Sequence, residues 1–394
     1  MIVFEFKLKG NNQQYLVLDD MIRTANFIRN KALRYWLDNK GTKCNDLQKL
    51  CAVLAKDYEW ANKLNSQARQ ASADRAWFAI SRFYANCKAK KQGKKGFPKF
   101  KKKGRSVEFK TTGWSLSEDK VHLTLTDKFG AGKFKLIGTY DLHFYQKSQI
   151  KRVRIVKRAD GFYAQFCIDI QREKTHQPTG KCKGIDLGLE FFYTDDEGNT
   201  VKNPRHLRKS EKALKRLQRK ASKKKKGSKN RRKANQRLAK KHLKVSTIQR
   251  KDFVIKTAKA LVQSCDLIAY ENLQVRNMVR NHRLAKSISD ASWSMFIEWV
   301  EYFAKIEGVE CRAVAPHFTS QDCSNCNTRV TKTLSTRTHE CPKCGIKLHR
   351  DHNSAIKILA KGLGLNTLGH SEINAWGENN HCLSRAIGLD KLTQ

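Results

Sequence analysis

Two pairs of cysteines carry metal-ligand spacing: Cys323-x-x-Cys326 and Cys341-x-x-Cys344, the second followed at once by Gly345. Four thiolates in two such pairs, with a short polar loop between them, suit one tetrahedral zinc ion. A shell closed by four sulfurs leaves no position open to a substrate, so the expected role is structural. In a short segment with few core residues, metal binding supplies most of the folding free energy, on the order of 10 kcal/mol or more. His339 and His349 lie close enough to stand in for one cysteine. A thioredoxin-like redox pair is disfavoured, because the two pairs occur together and outside a βαβ setting.

Seven residues beyond Cys344, Asp351 opens a stretch, His352 to Lys361, that reads as a helix. Two more acids stand in comparable settings. Asp186 lies in the short apolar strand Gly184-Ile185-Asp186-Leu187-Gly188, and Glu271 closes the buried-looking strand Cys265-Asp266-Leu267-Ile268-Ala269-Tyr270-Glu271. Singly, each has an ordinary structural reading: Asp beside Gly usually marks a turn, and Asp at a helix start usually caps it. Together, a strand acid, a strand-end acid and a helix-start acid form a site for two divalent cations. Phosphodiester cleavage needs charge stabilised on both the attacking and the leaving oxygen. Two ions about 4 Å apart do both, and hard Mg²⁺ prefers oxygen ligands. Asp186 is the expected bridging ligand, with Glu271 and Asp351 completing the shells; Glu190, Asp195, Asp196 and Asp266 are weaker candidates. Arg350 is placed to contact the scissile phosphate or to form a plain ion pair.

The charge names the partner class. In 394 residues, 80 Lys and Arg face 36 Asp and Glu, a formal net charge of +44. Such an excess repels itself unless a polyanion neutralises it, and phosphate contacts supply most non-specific affinity for nucleic acid. A ribosomal-type basic protein would share the charge but has no use for a carboxylate cluster. The block Gly93 to Arg105 (GKKGFPKFKKKGR) offers Lys99, Lys101 and Lys102 to a phosphate backbone, with Phe97 and Phe100 available to stack on bases. From Arg205 to Lys244 the one acid is Glu211, and two helices broken near Gly227 are expected. Like charges on adjacent helical turns repel, so Arg208, Lys215, Arg216, Arg219 and Lys220 are expected to meet phosphate. Of 12 cysteines, the eight outside the two pairs have no framework spacing, which fits a reducing cytoplasm. The absence of any apolar run of 18 residues and of a signal-peptide core adds the expectation of a soluble intracellular protein.

The elements that must position these groups follow from periodicity. Ile2 to Leu8 alternates as a half-buried strand; Gln13 to Trp36, Asp46 to Ala55 and Asn65 to Ala89 have helical spacing. The runs SVEFKTT, HLTLT, GKFKLIG, KRVRIVKR and FYAQFCIDI then suggest a small β-barrel that the N-terminal strand completes, making the helical unit an insertion. After Lys181 the acid-bearing strand runs into a second strand that turns at Asp195–Asn199, the hairpin with which RNase H-like nuclease folds begin. A helix from Ile248 to Ser264, the Glu271 strand, a helix from Trp293 to Ile306 and the strand VECRAVA lead to the cysteine segment at Pro316. Gly362 is placed to end the last helix, and the Gly-, Asn- and Ser-rich tail is expected to pack loosely.

The strand GIDLG, the strand IAYENL, TSQDCSNC, ECPKCG and RDHNSA together resemble the OrfB-type transposon proteins called TnpB, relatives of the miniature type V CRISPR nucleases. The resemblance covers most of the chain, from the N-terminal strand and FPKFKKKG to the tail segment GHSEINAWGE. It implies an α+β multidomain protein: a β-barrel wedge domain (1–10 and 98–180), an inserted helical recognition domain (11–97), an RNase H-like (RuvC-like) nuclease domain (181–315 and 350–365), a zinc-ribbon insertion that binds target nucleic acid (316–349) and a flexible tail (366–394). It further implies RNA-guided cleavage of double-stranded DNA beside a short motif. Asp186, Glu271 and Asp351 would be the catalytic acids holding two Mg²⁺, and Cys323, Cys326, Cys341 and Cys344 the ligands of one Zn²⁺. Asn65, Ser66, Gln67, Arg69 and Gln70, with Arg75 a turn on, fall where the family's motif-reading helix lies. Guide RNA and target DNA are the implied partners of a monomer in a prokaryotic cytoplasm, at the nucleoid. One departure is present: the family commonly has Asp-Arg-Asp where this chain has His349-Arg350-Asp351, and the retained Asp351 is the catalytic one in that pattern. A miniature CRISPR effector, a strand-transferring transposase and a nuclease-inactive RNA-guided DNA binder share parts of this chemistry.

Overall fold

The alternating N-terminal residues form strand β1 (Ile2–Lys9), and the helical spacing that follows becomes α1 (Asn12–Asp38), α2 (Cys44–Asp57), the single turn α3 (Glu59–Asn62) and α4 (Ser66–Lys88). A capping box starts α1: Asn11 accepts the Gln14 N–H and Gln14 accepts the Asn11 N–H. The computed structural model describes residues 1–170, 174–333 and 335–365. The expectations for 366–394 fall outside that range. The chain divides into two units, Met1–Gln171 and Arg172–Gln394.

In the first unit, β2 (Ser106–Phe109), β3 (Trp114–Leu116), β4 (His122–Leu125), β5 (Gly132–Ile137), β6 (Ile150–Arg158) and β7 (Gly161–Ile168) join β1 in a seven-stranded antiparallel sheet ordered β2-β6-β7-β1-β5-β4-β3. Strand β1 pairs with β7 on one side and β5 on the other, so the helices are inserted between two halves of one sheet. Trp114 of β3 lies 6.4 Å from Phe166 of β7, ring centre to ring centre. Three strands lie between them in the sheet, so four strand spacings, roughly 19 Å if it were flat, would part them; the sheet is therefore rolled. Its edge strands β2 and β3 do not pair with each other. The expected closed barrel is therefore a rolled, open sheet. The helices are not a separate globule either: Leu18, Met21, Ile28 and Leu33 of α1 share one core with Phe109, Phe134 and Phe166 of the sheet.

The basic block after α4 is not a loose connector. Asn26 and Asn30 of α1 both donate to the Lys101 carbonyl at 2.9 Å, Asn30 accepts the Lys101 N–H at 3.0 Å, and Arg29 donates to the Lys99 carbonyl at 3.1 Å. Main-chain atoms fasten the segment, and the side chains of Lys99, Lys101, Lys102 and Lys103 are exposed.

The second unit is built on β8 (Cys182–Leu187), β9 (Phe191–Asp195), β10 (Thr200–Lys202), β11 (Leu267–Glu271) and β12 (Glu310–Val314), in the order β10-β9-β8-β11-β12. The first three are antiparallel, as the expected hairpin requires, while β8, β11 and β12 are parallel. Between β10 and β11 run α5 (His206–Ser222), α6 (Lys229–Leu243) and α7 (Lys251–Gln263); between β11 and β12 run α8 (Val275–Met278), α9 (Ala285–Ala291) and α10 (Trp293–Glu307). Gly227, at φ +87°, turns the chain between α5 and α6 as anticipated. Apolar residues of α7 and α10 (Val254, Ala258, Phe296, Val300) cover Ile185 and Ile268 on one face of the sheet. On the other face lies the last helix, α11 (Arg350–Gly362), over Leu267, Ala269 and Val314. Ahead of it, β13 (Thr338–Glu340) and β14 (Lys347–His349) form a small hairpin. Among the described residues no helix is long and apolar enough to cross a membrane.

Helix α11 lies unusually close to the sheet. A Cβ on Gly184 would come within 2.3 Å of the Ala355 carbonyl oxygen, and one on Gly362 within 2.5 Å of the Ala269 Cβ. Gly362 was expected to end the helix. It is instead the last residue inside it, required by contact with the strand, and Leu363 caps the helix in an ordinary right-handed conformation.

Candidate active site and metal centre

Strand and helix periods together bring the three acids to one place. Side chains alternate across a sheet, so Asp186 shares the face of Gly184, and Glu271 the face of Ala269; both glycine contacts put α11 on that face. From Gly184 to Asp186 the strand advances about 6.6 Å. From Ala355 back to Asp351 the helix retreats about 6 Å, so the acid at the helix start meets the acid on the strand. In the parallel register Ile185 is opposite Tyr270, which sets Asp186 beside Glu271. A Cβ on Gly188 would lie 3.7 Å from the Asp351 Oδ2, so Asp351 reaches the C-terminal end of β8. The C-terminal ends of parallel strands are where open α/β sheets place their ligands.

The electrostatics match this crowding. Burial, then the charges of Glu271 and Asp351, push the Asp186 carboxyl well above the ordinary range; Arg350 and a Ser354 hydrogen bond oppose the rise. Burial raises Glu271 as well, against a hydrogen bond from Thr319 and the charge of Lys361. Asp351 is buried and pairs with Arg350 at 3.3 Å. Hard oxygen donors held together at such electrostatic cost fit divalent cations, whose charge reverses the repulsion. Sequence reasoning assigned no role to Thr319 or Ser354, although both sit in quoted motifs (TSQDC, RDHNSA). Nothing in their type or spacing signals that they hold carboxylates.

The four cysteine sulfurs all lie within 4.8 Å of one another, with Cys323–Cys344 at 3.6 Å and Cys326–Cys341 at 3.4 Å. Zinc–sulfur bonds of 2.3 Å in a tetrahedron give edges of about 3.8 Å, so the cluster fits zinc with little adjustment. In each knuckle the residue after the second cysteine has positive φ: Asn327 at +61° and Gly345 at +72°. This bend lets Thr328 and Ile346 return their carbonyls to the N–H groups of Cys323 and Cys341. His339 is buried beside Lys332, outside the four-sulfur group, and burial lowers its pKa to about 4. His349 accepts the Asp351 N–H at 3.3 Å and so caps α11. Neither histidine replaces a cysteine.

The described, buried residues from 316 to 349 are Thr319, Cys323, Ser324, His339 and Cys341, a set with no aliphatic, phenyl or indole side chain. Among its described residues the segment has no hydrophobic core, and its four sulfurs could hold a metal in place of one. Polar clasps join it to α11: Asn353 accepts the Ser324 N–H at 2.9 Å and donates to the Asp322 carbonyl at 3.0 Å, and Lys357 donates to Asn327 at 2.7 Å.

Residues 165–282 match the family OrfB_IS605, described as a probable transposase, and residues 293–358 match the Cas12f1-like TNB domain. The resemblance to the OrfB-type TnpB proteins is borne out. A Streptomyces pristinaespiralis protein with the provisional name RNA-guided DNA endonuclease is 37% identical over 188 residues, 47% of this chain and 46% of that protein. This chain therefore aligns with less than half the length of that relative. The Escherichia coli K12 protein InsQ, provisionally named likewise, is 26% identical over 383 residues, 91% of this chain and 92% of its own length. A Cas12f1 chain, solved by cryo-EM with sgRNA and target DNA, shares the fold at TM-score 0.54 and 15% identity, covering 88% of this chain and 83% of that one.

The positions expected to contact nucleic acid fall into two groups. Those on α4 are engaged within the protein. Asn65 caps the helix, Gln67 accepts the N–H groups of Thr111 and Thr112, Arg69 donates to the Asn62 and Leu64 carbonyls, and Arg75 donates to Ser106. Ser66 is exposed and Gln70 half-buried. The second group points outward: Arg208, Lys215, Arg216, Arg219 and Lys220 are exposed along α5, as are Lys99, Lys101 and Lys102 on the fastened loop. Phe97 is half-exposed and packs on Trp36 and Phe83, and Phe100 is likewise half-exposed.

Proposed function

We propose that the chain is an RNA-guided DNA endonuclease whose RuvC-like second unit hydrolyses phosphodiester bonds. The convergence of Asp186, Glu271 and Asp351 at the ends of β8, β11 and the start of α11 carries this reading. Asp186, Glu271 and Asp351 would hold two Mg²⁺ ions, which stabilise charge on the attacking and leaving oxygens. Thr319 and Ser354 hold two of these carboxylates in place, and the His349 cap holds the start of α11 that carries the third. Arg350, beside Asp351, presents a guanidinium to the phosphate. The exposed cations of α5 and the fastened lysine loop neutralise the phosphates of guide RNA and target DNA. By the same reading, the first unit holds the guide scaffold and reads the target-adjacent motif, and the cysteine segment binds one structural Zn²⁺ and the target strand.

The test is cleavage of a guide-matched plasmid by protein purified with its RNA. Asp186→Ala is expected to reduce single-turnover cleavage at least about a thousandfold while RNA binding persists. Unchanged cleavage would refute the assignment. The family description of residues 165–282 as a probable transposase keeps DNA strand transfer as the second reading. Strand transfer needs no guide, so protein that joins DNA ends after its RNA is removed would establish that reading instead.

A further inference from the structure

Between β12 and the first cysteine knuckle, Ala315, Pro316, His317 and Phe318 are all exposed, and Thr319 is buried. Phe318 has φ +62°, a left-handed conformation that is strained for a non-glycine residue. The turn itself explains the backbone: the Phe318 carbonyl accepts the N–H groups of Gln321 at 3.0 Å and Asp322 at 2.8 Å, opening the knuckle. Glycine would make this turn without strain, so the backbone does not account for a phenyl ring here. Nor does core packing, because Phe318 keeps 48% of its surface exposed. The ring is backed by a cation instead. The Arg329 guanidinium lies 3.5 Å from its centroid and is itself fixed by Asp322 at 2.8 Å.

Its position gives this ring a use. The next residue, Thr319, donates its hydroxyl to Glu271, so the platform borders the carboxylate cluster. Aromatic rings and guanidinium planes are the surfaces on which unpaired bases stack. We propose that Phe318, backed by Arg329, stacks a base of the DNA strand whose phosphodiester lies at Asp186, Glu271 and Asp351. This assignment rests on the nuclease reading and makes Phe318 a positioning residue for an unpaired strand.

The test uses the full-length protein with its RNA and single-stranded DNA carrying 5-iodouracil, which photo-crosslinks to stacked aromatic side chains. In an Asp186→Ala background, which keeps the strand intact, the crosslink is expected on the peptide containing Phe318. In cleavage assays, Phe318→Leu should raise the KM for the strand roughly 5- to 100-fold with kcat little changed, and Phe318→Trp should restore it. Phe318→Gly, which relieves the left-handed strain, should lose affinity as Phe318→Leu does while keeping its zinc and an equal or higher melting temperature. Crosslinks confined to other peptides would overturn the proposal, as would a wild-type KM in the Gly or Leu variant. A crosslink at Phe318 together with unimpaired cleavage by Asp186→Ala would instead leave the stacking and refute the nuclease reading.

Discussion

Twenty-two residues, Cys323 to Cys344, contain every ligand of the four-sulfur centre, whereas the three carboxylates span 166 residues from Asp186 to Asp351. The sulfurs are brought together by local turns: two hairpin bends with positive φ aim them at one point. The carboxylates are brought together by register. A parallel pairing sets Asp186 beside Glu271, and two glycines let α11 approach closely enough for Asp351 to join them. The first site has almost no apolar packing of its own among the described residues, so a bound ion would supply most of what folds it. The second is carried by a sheet with helices on both faces, which can bear the cost of crowding buried acids. A local centre can thus be left to a metal, whereas a remote one must be held by its fold.

The two centres can be uncoupled experimentally. The largest effect should come from Cys341→Ser or zinc chelation. Either should release the zinc, measured by metal analysis, and lower cleavage at least about a hundredfold, because Thr319 and the Asn353 clasp lose their footing. Secondary structure elsewhere should persist by circular dichroism; global unfolding would show that the two centres share one folding unit. Next, Gly184→Ala should strike the carboxylates and spare the zinc. Its methyl meets the Ala355 carbonyl oxygen at 2.3 Å and the Leu359 Cβ at 2.7 Å, so β8 and α11 must separate, at about 3 kcal/mol by urea denaturation. A wild-type midpoint would mean that the helix is not clamped as described.

The smallest effect concerns Asp196, which is buried and accepts the Gly184 N–H at 2.8 Å. Burial, ahead of repulsion by Asp195, pushes its carboxyl up to about 7. Its folded-state pKa is above the unfolded one, so its contribution to stability is present in acid and is lost as pH rises through about 7. Asp196→Asn keeps an acceptor for Gly184 without the ionisation. It should gain on the order of 2 kcal/mol over wild type at pH 8 and match it near pH 4, by urea midpoints. A difference independent of pH would show that Asp196 stays ionised in the fold.

How much of this was legible in the sequence follows from the same contrast. The four-sulfur group is given by spacing alone, because the geometry of a knuckle is local. The three acids were legible only as a set, through their order and the strand or helix each sits in. Their supports were not. Thr319 and Ser354 acquire roles from what lies across the sheet, and Gly362 looked like a helix terminator because its partner, Ala269, is some ninety residues away. In the first unit the alternating runs announced the strands. That the sheet stays open between β2 and β3, and that the inserted helices share its core, depends on packing that periodicity does not encode.

The fastening of the lysine loop has an evolutionary side. Asn26, Arg29 and Asn30 grip it through main-chain carbonyls and one amide, atoms that every residue type supplies. Its outward residues can therefore mutate without unseating the loop. A lineage meeting a new polyanion can rewrite that surface one codon at a time and leave the scaffold beneath it untouched.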